Sequence, residues 1–366
     1  MRRVAQLILV LTSGLLIFVL PMAAEERSGH TDWGPWSFDW EVRNNAGLSI
    51  RNVDFQGERV LYKGSLPVIR VKYAEDACHC SPTDPFSSDC QREVERLCGC
   101  GPYADQIFWI FADPNDPHAH GLVPVPDCDN RRVCQRSFEY FDPVTHKRFE
   151  WLEISVYMRV GGYHIYQAWF LSSDGQLQPT IFSKGLTCTV QVDINPWVKN
   201  HTHHPYWRFD FDVNGPCDDQ IFVWDGGRPN EGWGAGWHEY PHELNDVKNE
   251  STGRVWFVRD NPTGHGVWVF PGIRPGPGDG TADSWSRLDI GARLYDYKQD
   301  EPWPFDVGEL GYNNSKDMRE TDVVLWYVSH MYHNVLQGNQ NIFHISGPDI
   351  IIERAGGGPQ RTTTHP

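Results

Sequence analysis

The run Glu153-Ile-Ser-Val-Tyr-Met-Arg-Val160 alternates polar and apolar residues with a period of two. An extended strand sends successive side chains to opposite faces, so this pattern gives a strand one buried face and one wetter one. Coiled into a helix, the same residues would scatter their apolar groups around the circumference. Two further strand-like runs, Tyr163–Leu171 and Gln176–Phe182, flank Ser172-Ser-Asp-Gly175, a hairpin turn signal. The series continues through 47–55 with a turn at Gln56-Gly57, then 59–62, 66–73, 206–213, 253–259, 266–270, 322–328 and 349–353. The 34 glycines and 26 prolines supply the turns that so many short strands need. Asp89–Leu97 is the best short helix candidate, residues 76–102 read as a Cys-rich irregular segment, and 271–283 as a Gly/Pro-rich loop. The pattern predicts an all-β chain folded as one large antiparallel β-sandwich, over about 30–355, with a disordered tail at 356–366.

Met1-Arg-Arg precedes an apolar run from Val4 to Leu20 and the small residues Ala23-Ala24. This reads as a signal peptide over residues 1–24, or, if uncut, as a membrane anchor, and it predicts a secreted or periplasmic protein. Nine cysteines (78, 80, 90, 98, 100, 128, 134, 188, 217) suit that oxidising setting; Cys78-x-Cys80 and Cys98-x-Cys100 are read as disulfide partners in preference to zinc ligands. Asn200, Asn249 and Asn313 stand in glycosylation triplets, which count only in a host that glycosylates. A net charge of −16 argues against a duplex nucleic-acid binder held by phosphate contacts and is compatible with a cationic ligand or metal ions.

Chemistry concentrates in Asn200-His201-Thr-His203-His204-Pro205, directly before the alternating run Tyr206–Val213. On a strand His201 and His203 share a face, so both imidazoles can reach one ion. His330 and His333, past the run Asp322–Val328, are candidates for the third ligand, and three imidazoles with open positions suit copper or zinc.

The flanks of this cluster resemble the catalytic domain of the copper-dependent, topaquinone-containing amine oxidases. Residues 36–62 are similar to that domain's opening. The segment from Val160 through Tyr163 to Gly175 is similar to the one that carries the cofactor tyrosine. His201-x-His203 stands seven residues before Asp210-Phe211-Asp212, and Asp322 eleven before His333, as in the family's metal-bearing strands. The resemblance implies Cu(II) held by His201, His203 and His333, and a quinone formed from Tyr163 by copper and dioxygen. A primary amine would condense with that quinone, a carboxylate would take its α-proton, and aldehyde, ammonia and peroxide would leave. The quinone acts as an electron sink that side chains cannot supply, and the base must lie within hydrogen-bond reach of the proton. Tyr103-Ala-Asp105 matches the family's Tyr-x-Asp triplet, which makes Asp105 the expected base, with Asp113 and Asp116 as competitors. The resemblance also implies a calcium-type site from the carboxylates of Asp210, Asp212 and Asp322 and the carbonyls of Phe211 and Val323; hard oxygen donors suit such an ion. A homodimer is implied as well.

This chain departs from the family pattern at several points. Gly162 stands where the family has Asn before the cofactor tyrosine, and His164 where it has Asn or an acid. Asn334-Val-Leu-Gln replaces the usual acidic-Pro segment after the third histidine, the glycines after the base are replaced by Gln106-Ile-Phe-Trp, and, because the resemblance begins soon after the signal segment, the family's smaller amino-terminal domains are not expected. Two other functions are therefore weighed beside the oxidase. One is a non-catalytic, secreted metal-binding or recognition module on the same fold. The other is a carbohydrate-binding sandwich, suggested by Trp224, Trp233 and Trp237.

Overall fold

The structure, a computed structural model, describes residues 28–43, 47–71, 133–142, 146–160, 163–185, 201–227, 234–272, 288–296, 315–333 and 344–354. Strands are numbered in chain order across two antiparallel sheets. The first sheet contains β1 (Ser28–Trp33), β2 (Trp36–Arg43), β3 (Gly47–Phe55), β4 (Glu58–Val71), β9 (His201–Phe211), β12 (Leu244–Asp246), β15 (Ile290–Leu294), β16 (Val323–Val328) and β17 (Met331–His333). The second contains β5 (Val133–Asp142), β6 (Lys147–Val160), β7 (Tyr163–Ser172), β8 (Gln176–Gly185), β10 (Asp219–Asp225), β11 (Gly236–Glu239), β13 (Val255–Asp260), β14 (Gly266–Phe270), β18 (His344–Ser346) and β19 (Asp349–Glu353). Neighbours run β1-β2-β3-β4-β9-β16-β15-β12 in the first sheet, with β17 also on β9. They run β11-β10-β13-β14-β19-β8-β7-β6-β5 in the second, with β18 also on β8. Among the described residues the helical content is one 3-10 turn, Glu250–Thr252.

The alternation seen in the sequence is what stacks these sheets. Ile154 and Val156 of β6, Ile165, Trp169 and Leu171 of β7, and Trp207, Phe209 and Phe211 of β9 all enter one core. Burying each such side chain stabilises the fold by about 1.5–3 kcal/mol. Trp169 of the second sheet meets Trp207 of the first edge to face, ring centroids 5.4 Å apart. Trp36, Trp151, Trp169, Trp207, Trp256 and Trp326 are wholly buried and structural, whereas of the three tryptophans that suggested carbohydrate binding Trp224 and Trp237 are exposed and Trp233 lies outside the described residues.

Side-chain contacts fix the relative direction of the sheets. The Gln167 amide of β7 both accepts from the Leu48 N–H and donates to the Leu48 carbonyl, each at 2.9 Å, and Trp169 Nε1 donates to the same carbonyl at 3.0 Å. At the other end of β3, Phe55 lies against Gly175, just past β7. Gly175 is at φ +97, and a Cβ there would stand 3.1 Å from the Phe55 ring, so the β7–β8 hairpin needs glycine on both counts. Strands β3 and β7 therefore run the same way. Since β3 is antiparallel to β4 and β4 to β9, β9 runs that way too.

The hairpin at 172–175 and the run from Glu153 to Val160 form strands as expected, and β7 and β8 extend a little beyond the expected runs. The wetter face expected of the Glu153–Val160 run is not found over its first residues: Glu153 and Ser155 are wholly buried, Glu153 held by Arg136 and by the Ser155 hydroxyl. The second half of the histidine region differs from expectation. After Val328 the chain passes Ser329 and His330 and forms the separate strand β17.

Candidate active site

Strand β9 divides its residues between two faces. Trp207, Phe209 and Phe211 point into the core between the sheets, whereas Tyr206 belongs to an outer cluster with Val68, Val324, Trp326 and Val328. By the same alternation, positions 201 and 203 belong to the inner set and 204 to the outer. Strand β17 lies antiparallel on this end of β9, with His333 directly opposite His201 and Met331 opposite His203. Directly opposed residues share a sheet face. The register thus gathers positions 201, 203 and 333 on the inner face at the start of β9, and His203 is buried there.

Tyr163 comes to the same end of the sandwich from the other sheet. It opens β7, and Ile165, Trp169 and Leu171 of the same parity are core residues. Trp169 packs on Trp207, and β7 and β9 run in one direction. Six residues back from each tryptophan lie Tyr163 and His201. A tyrosine position and three histidine positions therefore lie at the same end of the interior on opposite sheets. Three histidines at neighbouring registered strand positions are a donor set whose chemistry suits a copper ion.

His204 and His330 do not join that set. They pair on the outer side of β9, Nδ1 to Nδ1 at 2.7 Å, and His330 Nε2 reaches Asp289 Oδ1 at 3.0 Å. All three residues are buried.

The carboxylates form a second cluster. Asp210, Asp212 and Asp322 each offer an oxygen within 4.8 Å of the others. Strand pairing brings them together: Phe211 is registered with Val323, so the strand ends carrying Asp212 and Asp322 emerge side by side. The Arg208 guanidinium holds Asp210 at 3.2 Å. Burial pushes the Asp212 carboxyl up to about 6, against the pull of the Arg59 charge. This donor set of oxygens, most of it buried, fits a hard cation.

A model of the copper amine oxidase enzyme domain matches residues 27–256. The chain belongs to the copper amine oxidase family. It is similar in fold to a copper-containing benzylamine oxidase from Hansenula polymorpha (TM-score 0.57, 15% identity, covering 88% of this chain and 59% of that one). It is also similar to a Pichia pastoris lysyl oxidase (TM-score 0.60, 14% identity, 95% and 56%) and to an Aspergillus nidulans amine oxidase (TM-score 0.56, 16% identity, 90% and 52%). This copper amine oxidase family member thus spans little more than half the length of these relatives, and at such identities the likeness establishes the fold. No curated protein matches the sequence.

Several expected features lie outside the described residues: the signal segment, Tyr103 and Asp105 with the competitors Asp113 and Asp116, and the Cys-rich segment with its helix candidate. Cys134 is disulfide-bonded, and Cys217 is free and exposed. Sequence reasoning missed Asp219, a wholly buried acid beside the carboxylate cluster. Burial pushes its carboxyl up to about 9, aided by the charges of Asp212, Asp260 and Asp322, while the Val213 N–H pulls the other way. The signal was present: Asp219 shares the parity of Ile221 and Val223, a charged residue in the core-facing series of β10.

Proposed function

We propose that this protein is a secreted oxidase of primary amines that turns amine, water and dioxygen into aldehyde, ammonia and hydrogen peroxide. His201, His203 and His333 would hold Cu(II), and Tyr163 would be the residue converted to topaquinone. When bound, the copper and quinone supply the electron sink and the route to dioxygen. The chain's own residues do the rest. The inner faces of β7 and β9 carry the tyrosine and histidine positions at one end of the core, and the Trp169–Trp207 contact, six residues further along both strands, holds the two sheets in that relative placement. Asp105, in the triplet with Tyr103, takes the proton from the substrate's α-carbon. A calcium-type ion at Asp210, Asp212 and Asp322, with the Phe211 and Val323 carbonyls, is structural. The active form is a homodimer.

One observation carries this reading: the registered pair His333–His201, placed at the end of the sandwich where β7 begins with Tyr163. Expression with copper in air, followed by mass spectrometry of the Tyr163 peptide and a peroxide assay with a simple primary amine, tests it. A modified Tyr163 and slow peroxide release are expected; an unmodified peptide in copper-loaded protein refutes it.

A second reading is a catalytically inactive metal-binding module on the same fold. Gly162 and His164 favour it, because the Asn that orients the cofactor ring in the family and the polar residue after it are replaced. Bound copper with unmodified Tyr163 is its signature.

A further inference from the structure

Asp219 begins β10 in the second sheet, whereas Asp210, Asp212 and Asp322 belong to strand ends of the first. It is wholly buried; the Val213 N–H approaches its carboxylate, but neither oxygen makes a hydrogen bond of ordinary geometry. Leaving a buried polar group unsatisfied costs about 1–3 kcal/mol, and more for a charge. A carboxylate survives in such a place when a proton or a cation neutralises it.

The surroundings of Asp219 decide which. The chain leaves Asp212, turns through Asn214, Gly215 and Asp218 with positive φ at all three, and returns at Asp219. Asp219 also bridges to Thr321, the residue before Asp322. The turn from Asp212 and the bridge to Thr321 thus join Asp219 to both ends of the carboxylate cluster. Its cross-strand partner, Asp260, already accepts from Thr263 N at 3.0 Å and from Asn214 Nδ2 at 3.3 Å. The nearby arginines hold other acids: Arg59 binds Asp54 at 2.6 Å, and Arg208 binds Asp210. Asp219 thus faces an acidic neighbourhood with two oxygens to offer.

We propose that Asp219 is a fourth carboxylate ligand of the cation site of Asp210, Asp212 and Asp322, and that this site takes a hard divalent cation such as calcium. The inference rests on the cation reading above, which includes the other three acids and not this one. Calcium accepts 6–8 oxygen ligands in a flexible shell, so a further carboxylate fits without a fixed geometry. Asp219 stands outside the 4.8 Å circle of the trio, and an ion shared by all four draws it in. Because Asp219 comes from the second sheet, the ion ties β10 to β9 and β16 across the edge of the sandwich.

The test is calorimetric titration of chelator-treated, full-length protein with calcium chloride, in the parent, Asp219→Asn, Asp210→Asn and, as an exposed control, Asp317→Asn. Asp219→Asn should weaken calcium binding at least tenfold, Asp210→Asn should do the same, and Asp317→Asn should bind as the parent does. A second measurement separates ligation from a merely structural role. In chelator, Asp219→Asn should melt no lower than the parent; in saturating calcium it should melt lower. Parent-like affinity in Asp219→Asn alongside weakened Asp210→Asn overturns the role of Asp219 and leaves the cation site standing. A parent that binds no calcium overturns both. Equal destabilisation of Asp219→Asn with and without calcium also overturns the ligand role.

Discussion

The imidazoles of His204 and His330 meet edge to face with their Nδ1 atoms 2.7 Å apart, although 126 residues separate them in the chain. Asp289 holds the far nitrogen of His330 and also accepts from the Lys248 N–H at 2.8 Å. The pair fastens β9 to the approach of β17 from the side opposite the proposed copper position. It is made in the same register that sets position 333 opposite position 201.

His330→Ala should therefore destabilise the protein by about 1–3 kcal/mol, the cost of stranding a buried partner. Copper stoichiometry should be unchanged at saturating metal. Denaturant unfolding and metal analysis check the two halves; loss of all copper would make His330 a ligand instead.

Single Ala variants of His201, His203 and His333 should each lose copper, while His204→Ala keeps it. Metal analysis after dialysis decides this, and undiminished copper in His333→Ala would sink the assignment.

Tyr163→Phe should abolish both quinone staining and peroxide release. Asp105→Asn should keep the quinone and lose turnover, as expected of a base that acts after the cofactor has formed. Turnover in the parent should itself be slow, since Gly162 cannot orient the ring; misplacing a reacting group can cost about 100-fold. Mass spectrometry and a coupled peroxide assay distinguish these outcomes.

His30 provides a pH signature away from the site. Hydrogen bonds to Asp39 at 2.8 Å and to Asp32 raise its pKa above 6.5. The sign follows from linkage: stability from the protonated imidazole is complete below 6.5 and is lost as pH rises through the folded-state value. Asp39→Asn should lower the His30 midpoint in an NMR titration. An unchanged midpoint would mean that the pair does not persist in solution.

The strands were legible because alternation has the period of an extended chain and a hairpin signal is local: Glu153–Val160 and Ser172–Gly175 carry their backbone geometry in a few adjacent residues, whereas burial was not legible there, since Glu153 and Ser155 are as buried as Ile154 and Val156. The site was legible only as far as the family resemblance reached. A three-residue strand such as Met331–His333 is too short to show a period, so its pairing with β9 could not be read locally. The His204–His330 contact is a tertiary accident of register, and no spacing announces it. Asp219 left a fainter trace, an acid in the apolar series of β10, which gains meaning only once Thr321 lies beside it.

The shared direction of β7 and β9 also sets an order of events. Tyr163 and His201 sit in different sheets, and His333 arrives far later in the chain. On the proposed reading, the metal and the tyrosine it oxidises are neighbours only after the two sheets have stacked. A nascent or half-folded chain then has no means of oxidising itself, and the modified tyrosine becomes a permanent chemical record that the molecule once completed its fold.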